Sequence, residues 1–369
     1  MVELKIPTDL LPEQTRFGCG PSKIRQAQFD AFQIFGRELM GSSHRQAPIK
    51  NLVKEIQIGL LDLFHNPTGY EIALGNGGST AFWDVAAFSL AEGKTQALVH
   101  GEFGAKFAKA LEAPFLSKPE IIQAEPGFRA ELKSDSEVKT FAYAQNETST
   151  GVISPVERVT GSADAIYLTD ATSAAGGVDF DPYQTDCYYF APQKNFGSDG
   201  GLWLALLSPA AIERAERISS TRYIPEFLSL VTAIENSRAS QTLNTPAIAT
   251  LFFLNEQIKW INANGGLAWA NQQTKISSDF LYNWATKSEY ASAFVTVPEY
   301  RSQVVVTIDF AENVDASKLA QILRANGILD TEPYRKLGRN QLRIATFVSI
   351  DKADVEKLTS AIEYVVERM

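Results

Sequence analysis

The chain has 369 residues, 45% of them apolar and 21% charged, which suits a folded globular protein and excludes a disordered one. Its formal net charge of -9 disfavours nucleic acid as a partner, since such binders present a basic surface. No run approaches a membrane span, and the N-terminus lacks a basic-then-apolar leader pattern, so no membrane partner and a cytoplasmic location are expected.

The length exceeds what one hydrophobic core usually serves, so two domains are expected. Residues 71–75 read as a strand entering the glycine turn Gly75-Asn76-Gly77-Gly78-Ser79-Thr80, followed by an apolar helix with Phe82, Trp83 and Leu90. Further strands are read at 97–100, 139–144, 165–169, 187–191 and 202–207. Their alternation with helical stretches predicts an α/β layered domain with a mostly parallel sheet. Ser208-Pro209 and Thr245-Pro246 read as N-caps followed by proline at the first helical position, the second opening a helix over 247–264 that Gly265-Gly266 stops. After about residue 290 a strand (303–310), a helix (315–326), a strand (341–347) and a closing amphipathic helix (351–368) predict a smaller α/β domain. The expected division is 17–265 for the large domain and 266–369 for the small one, with residues 1–16 packing on the latter.

Asp170 and Lys194 each follow an apolar strand, where open α/β sheets build their sites. Pyridoxal 5'-phosphate needs such a pair: a lysine to condense with its aldehyde and a carboxylate to keep its ring nitrogen protonated. Each alone reads more simply as a surface lysine or a helix-capping aspartate. The glycine turn leads into a helix whose free N–H groups suit a phosphate, with Ser79 adding a hydroxyl. It is no dinucleotide fingerprint, because Thr80 occupies the third glycine position. Phe103, just past a strand, is placed to stack on a flat ring, although a core role is the simpler alternative. Thr148 is a turn threonine within reach of a cofactor oxygen. Arg343 stands inside an apolar strand, where burial demands a partner, either a structural carboxylate or a ligand. Arg45 and Arg335 read as solvated surface or as anion contacts. Cys19 and Cys187 make no disulfide framework, and no histidine or cysteine spacing suggests a metal site.

Together, Phe17-Gly18-Cys19-Gly20-Pro21, Ser43-His44-Arg45, Asn146-Glu147-Thr148, Ala191-Pro192-Gln193-Lys194-Asn195 and Asn244-Thr245-Pro246 resemble the phosphoserine aminotransferases, class V enzymes of PLP fold type I. The resemblance runs from about Phe17 to the C-terminus. It implies a large domain with a mostly parallel seven-stranded sheet flanked by helices. It also implies a two-step amino transfer between glutamate and 3-phosphohydroxypyruvate, giving phosphoserine and 2-oxoglutarate in serine biosynthesis. Lys194 would form the Schiff base and Asp170 pair with the pyridine nitrogen. Gly78, Ser79 and Gln193 would bind the cofactor phosphate, with Asn244 and Thr245 arriving from the second chain of a homodimer. Thr148 would meet the ring oxygen and Phe103 the ring face. Arg343 would hold the α-carboxylate, and His44, Arg45 and Arg335 the distal phosphate or γ-carboxylate. Which of Arg335, Lys336 and Arg339 reaches the substrate stays open, as does a neighbouring class V aminotransferase activity of the alanine/serine–glyoxylate or pyruvate type. The chain departs from many members at Phe103, where tryptophan is common, at Gly78-Ser79, where Gly-Arg is common, and near Cys19, where serine is usual.

Overall fold

The six apolar runs read in the first part of the chain are buried nearly throughout, the burial that strands between two helical layers require. In the computed structural model, which describes residues 4–369, they form most of one sheet: β1 (Glu71–Asn76), β2 (Lys94–Val99), β3 (Glu120–Gln123), β4 (Val138–Ala144), then, after the small hairpin β5 (Asn146–Glu147) and β6 (Val152–Ile153), β7 (Ile166–Asp170), β8 (Cys187–Phe190) and β9 (Leu202–Leu207). The sheet order is β1-β9-β8-β7-β4-β2-β3. Only β9 runs against its neighbours. The mostly parallel seven-stranded α/β architecture expected from the sequence is therefore the one observed. β3 escaped the sequence reading because it is an edge strand, largely exposed and without apolar alternation.

Helices cover both faces. On one face the helices Gly78–Ser89, Glu102–Ala110, Pro209–Ser219 and Leu230–Arg238 contribute Phe82, Phe107, Ile212 and Leu230 to a continuous apolar layer. On the other, Ala47–Leu63 and Ile248–Ala263 contribute Ile56, Leu60, Leu254 and Ile258. Ser208 caps its helix as read, accepting from the Ala211 N–H at 3.1 Å. Thr245 does not: the N-cap of the Ile248–Ala263 helix is Ala247, with no side-chain bond, and the Thr245 hydroxyl meets His44 instead. Gly265, at φ 118°, ends that helix and also begins another, Gly266–Lys287, which the sequence reading did not contain.

A second, antiparallel sheet follows in the order β10 (Ala291–Ala293), β11 (Val305–Phe310), β12 (Gln341–Ala345). It packs with the helices Ala316–Ala325 and Lys352–Val366 around a separate core that includes Leu319, Leu358 and Ile362. Ile6 is buried in this core and its N–H donates to Asn326 Oδ1 at 2.9 Å. Residues 1–3, part of the expected N-terminal packing segment, lie outside the described residues.

Candidate active site

The parallel strands all end on one edge of the large sheet, where chains leaving neighbouring strands diverge and open a crevice. Gly77 and Gly78 follow β1, Phe103 follows β2, Asn146 and Thr148 follow β4, Asp170 ends β7, and Gln193 and Lys194 follow β8. All of these line one cavity of about 220 Å³, together with Ser79, Thr80, Trp83 and Thr172.

Lys194 is buried, and loss of hydration pushes its ammonium down to about 8; the nearby Arg343 charge acts in the same direction, whereas Asp170 and Glu147 oppose it. Its Nζ donates to the Cys19 carbonyl at 2.5 Å. The segment around Cys19 is tied to the lysine loop on both sides of the amine, with Ser22 N–H donating to Gln193 O at 2.9 Å and Ser22 Oγ to Lys194 O at 2.5 Å. Gly20 must be glycine here. Its φ is 130°, and a Cβ would stand 2.2 Å from Lys194 Nζ.

Asp170 is buried, and among the described residues no cation is bonded to it. Oδ2 accepts from Trp83 Nε1 at 2.9 Å, and Oδ1 from the Thr172 N–H and hydroxyl at 2.9 and 2.5 Å. Burial raises its carboxyl above the usual range despite these bonds. A carboxylate held by neutral donors beside a cavity is suited to pair with a cationic N–H of a ligand. Helical periodicity marks Trp83 only as core; its bond to Asp170 spans 87 residues of sequence and leaves no local signal. Thr172 could have been found, because Asp-x-Thr is the pattern of a turn in which the aspartate accepts from the residue two ahead.

The turn after β1 holds Gly77 and Gly78 at φ 114° and 74° and opens the 12-residue helix Gly78–Ser89 into the cavity. Its free N–H groups, with the Ser79 hydroxyl (2.6 Å from Thr172 Oγ1), make an anion cradle. Gln193 Oε1 and Asn146 Oδ1, both of cavity-lining residues, are buried without a hydrogen-bond partner. Thr148 donates to Ser173 Oγ at 2.9 Å. These features fit a flat, phosphorylated, aldehyde-bearing cofactor: an amine, a carboxylate, an anion cradle and unpaired polar atoms around one space. Among the described residues, no three His, Cys, Asp or Glu side chains group to hold a metal ion.

The remaining candidates lie outside the cavity. Arg343, half-buried on β12, donates from Nη1 to the Thr148 carbonyl at 3.0 Å and has no carboxylate partner among the described residues, so its site is not a structural ion pair. Lys336 pairs with Glu102, and Arg339 bonds Asp309 at 2.5 Å, whereas Arg335 is exposed without a partner among the described residues. His44 and Thr245 sit together, Nδ1 3.3 Å from Oγ1, with Arg45 and Asn244 exposed beside them. Within one chain these four residues do not line the cavity.

A parallel-sheet α/β fold with a buried lysine and aspartate facing a glycine-turn cradle is the arrangement of a PLP-type transferase, and the aminotransferase class-V model matches residues 20–330. The chain belongs to the class V aminotransferase family. It is 54% identical over 370 residues to a phosphoserine aminotransferase of Nocardioides sp., covering 99% of each chain. Its fold matches a phosphoserine aminotransferase of Cytophaga hutchinsonii with a TM-score of 0.86 at 22% identity, over 95% of this chain and 99% of that one. It also matches an alanine–glyoxylate aminotransferase of Nostoc sp. with a TM-score of 0.79 at 22% identity, over 99% and 98%.

Proposed function

We infer that the protein transfers the amino group between glutamate and 3-phosphohydroxypyruvate, giving phosphoserine and 2-oxoglutarate, as a step of serine biosynthesis. The observation that carries this reading is the meeting of Lys194, Asp170 and the Gly77–Gly78 cradle around one cavity, in a chain 54% identical end to end to a phosphoserine aminotransferase. Pyridoxal phosphate, when bound, supplies the aldehyde that takes up the amino group and a ring that withdraws electrons from the substrate Cα. Asp170 holds a proton on the ring nitrogen. The helix N-terminus at Gly78, Ser79 and Gln193 bind the phosphate. Thr148 orients the ring oxygen, and Phe103 covers one face and excludes water. Lys194, its amine freed by substrate, carries the proton to and from the substrate Cα as base and then acid.

Arg343 receives the α-carboxylate. Its Nη1 is already bonded to Thr148, and its buried Nε has no partner, so the Nε–Nη2 edge is left for two parallel bonds to a carboxylate. Arg335, the cation of its loop without a partner among the described residues, is assigned to the distal phosphate or γ-carboxylate, with His44 and Arg45 from a second copy. Asn244 and Thr245 of that copy complete the phosphate cradle. The homodimer is supported by Phe29, Ile34, Phe35 and Met40, apolar side chains 38–65% exposed on the stretch that leads to His44. The domain division of 17–265 and 266–369 is supported by the core around the small sheet, formed mostly by residues after 266, although Phe17, Ala174 and Val178 also enter it. No helix among the described residues is long and apolar enough to cross a membrane, and both cysteines are free, which supports a cytoplasmic enzyme.

Titration of the cofactor-loaded protein with phosphoserine, and separately with alanine and cysteine, tests the reading through the visible absorbance. Rapid loss of the aldehyde-form band with phosphoserine alone is expected. A better response to alanine would move the activity to another class V aminotransferase, and a protein that takes up no cofactor would overturn the role of Lys194.

A further inference from the structure

The loop between Thr331 and Arg343 leaves the small sheet and reaches Phe103, a residue that lines the cavity. It is held at one end by the Arg343 N–H, which donates to Thr331 O at 3.0 Å, and nearer its middle by the Lys336–Glu102 ion pair. Between these two ties stands Tyr334. Its ring centroid is 5.3 Å from the Arg343 guanidinium carbon and 6.1 Å from the Phe103 ring, inclined at 55°. The first distance lies within the roughly 6 Å over which an aromatic face attracts a guanidinium, and the second is an ordinary aromatic contact. The Tyr334 hydroxyl has no hydrogen-bond partner among the described residues, so the ring, not the oxygen, makes the contacts.

We propose that Tyr334 is a positioning residue for substrate: its ring holds the Arg343 guanidinium in the plane that an α-carboxylate requires and ties that plane to Phe103. The proposal rests on the reading of Arg343 as the α-carboxylate group. A guanidinium with one nitrogen bonded to Thr148 O can still turn about that bond. The Tyr334 face removes this freedom, so the Nε–Nη2 edge is set before substrate arrives. Lys336, bonded to Glu102 on the helix that carries Phe103, keeps the loop from lifting the ring away. Because every amino donor and acceptor of this reaction carries the same α-carboxylate, the effect is common to all substrates, unlike that of a group reading the distal phosphate.

A double-mutant cycle with the cofactor-loaded enzyme tests this, measuring KM and kcat for both glutamate and phosphoserine. Tyr334→Ala is expected to raise both KM values by a similar factor, about tenfold, with kcat changed far less. Tyr334→Phe is expected to stay near wild type. Added to Arg343→Ala, Tyr334→Ala is expected to raise KM no further, because it acts through the arginine. Tyr334→Leu keeps bulk without an aromatic face and is expected to behave as the alanine variant, which covers the case in which Tyr334→Ala does not fold. Equal damage from Tyr334→Phe, a loss confined to phosphoserine, or full additivity with Arg343→Ala would each overturn the proposal. If Arg343→Ala itself leaves both KM values unchanged, the reading of Arg343 has failed instead, and the proposal falls with it for a distinguishable reason.

Discussion

An amine enclosed by protein titrates low because its charged form gives up hydration that the enclosure does not return. Lys194 is so placed, with an ammonium pushed down to about 8. The nucleophile is the neutral amine, whose fraction rises with pH up to that value and is nearly complete above it. The rate at which cofactor-free protein takes up pyridoxal phosphate, followed by its visible absorbance, should therefore climb about tenfold per pH unit below 8 and flatten above it. A rate still climbing toward 10 would mean that the amine is solvated. Lys194 and Asp170 were legible from sequence as candidates because each stands at or just past the end of a mostly apolar strand. Trp83, which orients Asp170, was not, because an indole on an apolar helix face reads as core whether or not its N–H is in use.

Among the elements, the helix Glu102–Ala110 shows how a site residue is held from far along the chain. Its first N–H groups need acceptors, and the buried Glu147 of β5 provides them: the Phe103 N–H donates at 3.1 Å and the Gly104 N–H at 2.9 Å, while Ser149 Oγ donates to the same carboxylate at 2.6 Å. Burial raises the Glu147 carboxyl, and the helix N-terminus favours its charge. Glu147→Gln replaces one accepting oxygen with a donor facing N–H groups. It should lower the unfolding free energy by about 1–3 kcal/mol, read from urea denaturation. An unchanged midpoint would show that the carboxylate does not hold this helix. The Asn146-Glu147-Thr148 turn was visible as a motif, but the helix it caps lies about 40 residues earlier, and no local pattern joins them.

For the whole molecule, the contact of His44 with Thr245 gathers two distant segments at one place outside the cavity of their own chain. If that place faces the cavity of a second copy, subunits that are inactive for different reasons should restore one another. Lys194→Ala and Arg45→Ala proteins, each nearly inactive toward phosphoserine, should regain activity when dissociated and reassembled together. Random pairing makes half the dimers mixed, each with one intact site, so about a quarter of the wild-type activity is expected. No recovery, with mixed dimers shown to form, would place each site within a single chain.

Composition, apolar periodicity and strand-end residues by themselves determined the layered α/β class, the mostly parallel sheet and the residue types able to handle an amino group, because these depend on spacing along the chain. Tertiary structure decided the rest. It brought the ends of β1, β2, β4, β7 and β8 to one cavity, gave Thr245 to His44 rather than to its helix, and left Arg335 without a partner among the described residues while Glu102 and Asp309 took Lys336 and Arg339. Each of these outcomes turns on which of several chemically similar groups comes within bonding distance. Chain crossings separated by tens to hundreds of residues set that distance, and local sequence carries no record of it.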